Sequence, residues 1–144
     1  MKVLMSVGLV LALGGCAAGT QRSPFDDLRN ERNLRTERTV YLTFPQIQQA
    51  LFKHQAACGV SYTFALEPRQ TSYATVVYQP GPDSPDEAAM LVEMAWYQGS
   101  WRTEERVKMK IYTAYGNSAV ADRIDAFLAA LAKPEQCHKP EQAS

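Results

Sequence analysis

The chain has 144 residues, of which 46% are hydrophobic, and its 15 lysines and arginines are balanced by 15 aspartates and glutamates. That length buries the core of one domain and hardly of two. A balanced charge offers no strong field to recruit nucleic acid or an acidic surface, so composition excludes partners gathered by net charge alone.

At the start of the chain, Lys2 precedes an apolar run from Val3 to Leu13, the length of a secretory signal and too short to span a bilayer. The run closes on Leu13-Gly14-Gly15-Cys16, which resembles the bacterial lipobox, a leucine and two small residues before a cysteine. The resemblance implies that residues 1–15 are removed as a signal peptide and that Cys16 becomes the acylated first residue, held to a membrane by palmitate-type chains. Each buried acyl methylene contributes about 0.8 kcal/mol, so several chains anchor firmly where one does not. In lipoproteins of this class an Asp after the cysteine favours the inner membrane. Ala17 and Ala18 stand there instead, and the expectation is an outer-membrane lipoprotein facing the periplasm. The alternative is an ordinary thiol in a signal peptide cut further on, after Ala18.

Residues 16–38 are polar and mixed in charge apart from Phe25, Leu28 and Leu34, and they read as the lipidated cysteine followed by a flexible tether. A short partner-binding helix around Phe25 and Leu28 is the alternative. The domain is expected over 39–137, with 138–144 as a tail. Val40, Leu42 and Phe44 alternate with Tyr41 and Thr43 as a short strand. Pro45 then opens a helix in which Ile47, Ala50, Leu51, His54 and Cys58 recur at helical spacing until Gly59 stops it. Strands follow at Tyr62–Leu66 and Tyr73–Tyr78, and a proline-rich loop at 79–86 cannot continue a ladder.

Met90, Val92, Met94 and Trp96 form one face of the next strand, and Gln98-Gly99 suits a tight hairpin. The return strand sets Trp101, Thr103, Glu105, Val107, Met109, Ile111 and Thr113 against Arg102, Glu104, Arg106, Lys108, Lys110 and Tyr112. One face is therefore mostly apolar and the other charged. Asn117 or Ser118 caps a last helix whose Val120, Ile124, Phe127, Leu128 and Leu131 make a core stripe, and Pro134 ends it.

The order β-α-β-β-β-β-α predicts an α+β fold, an antiparallel sheet of about five strands with both helices on its apolar face. Cys58 and Cys137 are an even pair in a chain expected to be exported, which points to a disulfide joining the C-terminal ends of the two helices. Two buried free thiols are the alternative, and no CxxC or HxxxH spacing suggests metal. The element order from Val40 to Leu131, together with the lipobox, resembles the helix-grip family, including the small domains of the lipoprotein subunit of the β-barrel assembly machine. The expected partners are the membrane, through the N-terminal lipid, and an envelope protein.

Residues for catalysis are thin. No GxSxG, HExxH or glycine-rich phosphate loop occurs, the histidines are His54 and His138 alone, and neither an enzyme nor a cofactor or metal is expected. His54 falls on the inward edge of its helix and reads as a core residue satisfied by a carbonyl. Glu105 is the one charge on the apolar face of its strand, which places it near the hairpin end where that face meets solvent. The candidate binding surface is Arg102, Arg106, Lys108, Lys110 and Tyr112, joined across the hairpin by Tyr97 and Glu93. Basic residues interleaved with tyrosine suit anionic glycans, lipid headgroups or an acidic partner, and a plain solvated sheet face is the alternative. The expected function is a binding or accessory module of an envelope assembly. A carrier of a hydrophobic ligand is the rival, with Met90, Met94, Met109, Trp96 and Trp101 lining a cavity between helices and sheet.

Overall fold

The computed structural model describes residues 25–81, 89–98 and 104–138. Strand β1 (Leu34–Val40) leads into helix α1 (Phe44–Cys58). Strands β2 (Tyr62–Glu67), β3 (Gln70–Tyr78), β4 (Met90–Gln98) and β5 (Glu105–Thr113) follow, and helix α2 (Ser118–Ala132) comes last. The fold is α+β, with five strands in the order β1-β5-β4-β3-β2 and every neighbouring pair antiparallel. β1 and β2 are therefore opposite edges of the sheet, and α1 carries the chain from one to the other.

Local sequence dictates both helix ends. Thr43 Oγ1 accepts from the Gln46 amide at 3.3 Å while Gln46 Oε1 accepts from the Thr43 amide at 2.8 Å, a reciprocal cap that satisfies two amides left over at the first turn of α1. Gly59 sits in the left-handed region at φ +72° and returns its amide to the Gln55 carbonyl at 2.9 Å, which stops the helix at Cys58. At α2 the cap is Asn117, whose Oδ1 accepts from the Val120 amide at 3.0 Å.

The inner face of the sheet and the apolar stripes of both helices form one core. Ile47 and Leu51 of α1 and Val120, Ile124, Phe127 and Leu131 of α2 meet Val76, Met90, Val92, Met94, Val107, Met109 and Ile111 of the sheet. Tyr62 anchors the β2 edge, its ring 5.4 Å from those of both Phe127 and Tyr78. Cys58 and Cys137 are joined as a disulfide with Cα atoms 5.3 Å apart, so the chain after α2 is bolted to the end of α1.

The expected tether over 16–38 needs correction within its described part, because the folded chain begins well before Thr39. Two 3-10 turns, Asp26–Leu28 and Glu31–Asn33, precede β1, which itself starts at Leu34. Phe25, Leu28 and Leu34 pack on the outer face of the sheet against Val77, Ala89, Leu91, Tyr112 and Ala114, a second and smaller apolar cluster. Asn33 is buried there and donates from Nδ2 to the carbonyls of Asp27 and Leu28, both at 3.3 Å. The polar composition misled because an edge strand has only one neighbour and little apolar surface to bury.

Strand ends also shift. β3 begins at Gln70 instead of Tyr73, and β5 is described from Glu105 onward. Residues 1–24, which hold the signal segment and Cys16, lie outside the described residues, as do 82–88, 99–103 and 139–144.

Candidate functional site

Strand alternation sends every second residue of β3, β4 and β5 away from the helices. On that outer face the register sets Glu93 opposite Lys110, Ala95 opposite Lys108, Tyr97 opposite Arg106 and Thr75 opposite Glu93. β1 adds Glu37 beside Lys110 and Thr39 beside Lys108. Ala95, Thr75 and Thr39 are small, and longer side chains stand around them. The result is a groove of about 830 Å³ whose wall includes Arg29, Arg69, Tyr73, Tyr97 and Lys108. Arg29 lines one end, and Tyr97 marks the other, towards the Gln98–Glu105 pair of β4 and β5.

The two ends differ in charge. Towards the N-terminal turns, the cations are compensated: Arg29 Nε lies 2.9 Å from the Glu93 carboxylate and Lys110 Nζ lies 3.8 Å from that of Glu37. Towards the hairpin, Lys108 Nζ stands 5.1 Å from the centroid of the Tyr97 ring, a cation–π contact, and exposed Arg106 has no ion-pair partner among the described residues. Tyr73 and Tyr97 remain about half exposed at 49% and 48%, with their rings open to the groove side of the sheet.

The structure therefore brings Arg106, Lys108 and Lys110 together on one exposed face with Tyr97 and Glu93. Tyr112 does not belong with them. It is 7% exposed, flanked by Leu34 and Leu91 on the adjacent strands and covered by Leu28. Its phenol is pushed up to about 12 by burial and then by its hydrogen bond to the Glu93 carboxylate. Tyr112 alternates correctly with its charged neighbours, but the N-terminal turns roof that end of the face. Arg102 lies outside the described residues.

Sequence reasoning missed Arg29, Glu37, Arg69 and Tyr73 as members of this surface. For Tyr73 the signal was present, since it shares the alternation of Thr75 and pairs with Ala95. For Arg29 no local signal exists, because its place depends on how Phe25 and Leu28 dock.

Other singled-out residues have structural settings. His54 is 3% exposed, and its Nδ1 donates to the Pro134 carbonyl at 2.9 Å; a carbonyl only accepts, so the proton is on Nδ1. Glu105 is half-buried at the start of β5 opposite Gln98, at the hairpin end of the sheet. Met90, Met94 and Met109 are at most 1% exposed within the main core, Trp96 packs at its margin with its ring 6.0 Å from that of Phe44, and Trp101 lies outside the described residues. Among the described residues no three His, Cys, Asp or Glu side chains gather as a metal site, and no helix is long and apolar enough to cross a membrane.

Comparison with models of known families, with curated proteins and with solved structures found no match for this chain.

Proposed function

We propose that this protein is a lipoprotein of the outer membrane, anchored through Cys16 and facing the periplasm, that works by binding as an accessory module of an envelope assembly. The outer face of the sheet is its working surface. The observation that carries the reading is the division of labour between the two sheet faces: the inner one is filled by α1 and α2, while the outer one presents cations and open tyrosine rings around a groove. Element order and the lipobox-like segment agree with such a role, as the resemblance to helix-grip domains of an assembly-machine lipoprotein suggests.

The test is site-directed photocrosslinking in the native envelope, with the photoreactive residue at position 97 on the outer face or at exposed position 49 on α1. Adducts from position 97 and none from 49 are expected. Reversing Arg106 and Lys108 to Glu should abolish the adduct and leave the melting temperature nearly unchanged, because exposed charges contribute about 0–1 kcal/mol each to stability. Adducts from position 49 alone, or a reversal without effect on capture, would overturn the assignment of the surface.

A further inference from the structure

The groove's chemistry narrows the kind of partner it fits. Its floor runs across β1, β5, β4 and β3, and among these β5, β4 and β3 each have a hydrogen-bonded strand on both sides. An extended peptide laid over these three finds no free backbone ladder to join, so β-strand addition is confined to the outer side of β1, at the margin of the groove. A flat bilayer does not reach into a concave surface whose exposed rings are tyrosines with polar tips. A dense polyanion meets Glu37, Glu67 and Glu93 in the same groove as the cations.

The same mixture suits a ligand rich in hydroxyls that carries scattered negative charge. Carboxylates accept hydrogen bonds from hydroxyl groups, and arginine donates to hydroxyl oxygens in a fork. The face of a tyrosine ring is electron-rich and apolar, which matches the polarised C–H face of a sugar ring. At the Gln98–Glu105 end of the sheet the Lys108 ammonium lies over one face of the Tyr97 ring, so a sugar ring that stacks on that face displaces the ammonium to its own rim, where it meets an acid substituent. Small Ala95 beneath and Tyr73 on the neighbouring strand leave room for a second ring.

From these observations we infer that the groove binds an anionic glycan, a saccharide chain with intermittent carboxylates, whose sugar rings stack on Tyr73 and Tyr97 and whose acid groups pair with Lys108 and Arg69. This rests on the reading of the outer face as the working surface and goes beyond it by naming the ligand class.

The test is calorimetric titration of the full-length protein in detergent with a hyaluronan hexasaccharide, in which glucuronate alternates with a neutral amino sugar, against a neutral hexasaccharide and hexaglutamate as controls. The hyaluronan hexasaccharide should bind, and the neutral sugar should bind at least about tenfold more weakly, the scale of one lost charge-assisted hydrogen bond. Lys108→Ala and Tyr97→Ala should each weaken binding about tenfold or more, while Tyr97→Phe keeps the ring and most of the affinity. Tyr97 and Lys108 are exposed, so unchanged melting temperatures will show that the variants fold. Hexaglutamate binding as tightly as the glycan, or Tyr97→Ala binding undiminished, overturns the glycan assignment while the crosslinks from position 97 still mark the outer face as the working surface. No binding of the hyaluronan hexasaccharide also overturns it. Loss of those crosslinks as well would bring down the broader reading.

Discussion

The guanidinium of Arg35 is divided among three acceptors: Nε donates to Thr113 Oγ1 at 3.1 Å, and Nη2 donates to the carbonyls of Thr113 at 2.9 Å and Ala114 at 3.0 Å. Thr113 is 1% exposed and its own hydroxyl donates a hydrogen bond to the Tyr115 carbonyl at 2.7 Å. Gly116 makes room for this, since a Cβ there would stand 3.3 Å from the nearest guanidinium nitrogen. Arg35→Ala is expected to cost about 1–3 kcal/mol in urea unfolding, because it strands two part-buried carbonyls, and Arg35→Lys should recover only part, lacking the planar fork. A loss below about 0.5 kcal/mol would show that water replaces the guanidinium at no cost. Two phenols make the domain sensitive to alkali. Tyr112 and Tyr62 are both pushed up to about 12 in the folded state, burial being the leading cause for each. Their neutral forms are favoured by folding, so the stability they contribute is complete below about pH 10 and is lost as pH climbs through 12. Stability measured from pH 9 to 12 should fall, and the fall should be shallower in Tyr112→Phe and Tyr62→Phe; an unchanged slope in both would refute the linkage. None of this was readable from residue type, because Arg35 sits in a run of charges and Tyr112 alternates with lysines.

At the scale of elements, helices were legible where strands were less so. The Thr43–Gln46 cap, the stop at Gly59 and the Asn117 cap are encoded within a few residues of where they act, and the apolar spacing of α1 and α2 is equally local. β1 is set by distant residues instead: its only neighbour is β5, with Glu37 opposite Lys110 and Val40 opposite Val107. Nothing within 34–40 announces that pairing, so the strand passed for tether. The Cys58–Cys137 bridge spans a sequence separation of 79 and, with the His54–Pro134 hydrogen bond, ties the segment after α2 to the end of α1. Cys58→Ser should therefore lower stability by about 2–5 kcal/mol. Thermal unfolding checks this, and a variant melting within about a degree of the parent would mean that the bridge contributes strain equal to its benefit.

For the whole molecule, the face of β5 that carries Arg106, Lys108 and Lys110 could be read from alternation, whereas the groove could not. Its shape needs the register that sets Ala95 between Tyr73 and Lys108 and the docking of the turn that brings Arg29 to Glu93. How the protein is held in the cell is a separate matter. Under the proposed lipid anchor at Cys16, Cys16→Ser should move the protein from the membrane fraction into the periplasm or leave it unprocessed. Fractionation that finds this variant firmly membrane-bound in the absence of partners would refute lipid anchoring.

The edge position of β1 has a consequence for the order of events during synthesis. Among the described strands β1 pairs with β5 alone, so it has no partner until Val107 to Tyr112 have been made, and the N-terminal part of the domain waits unpaired while the rest follows. A waiting strand is a template for aggregation, and charged side chains are what keep such an edge from joining a stranger. Arg35, Glu37 and Arg38 stand in β1 for the whole of that wait. The charges that make this stretch look like a linker are thus the protection its late pairing demands.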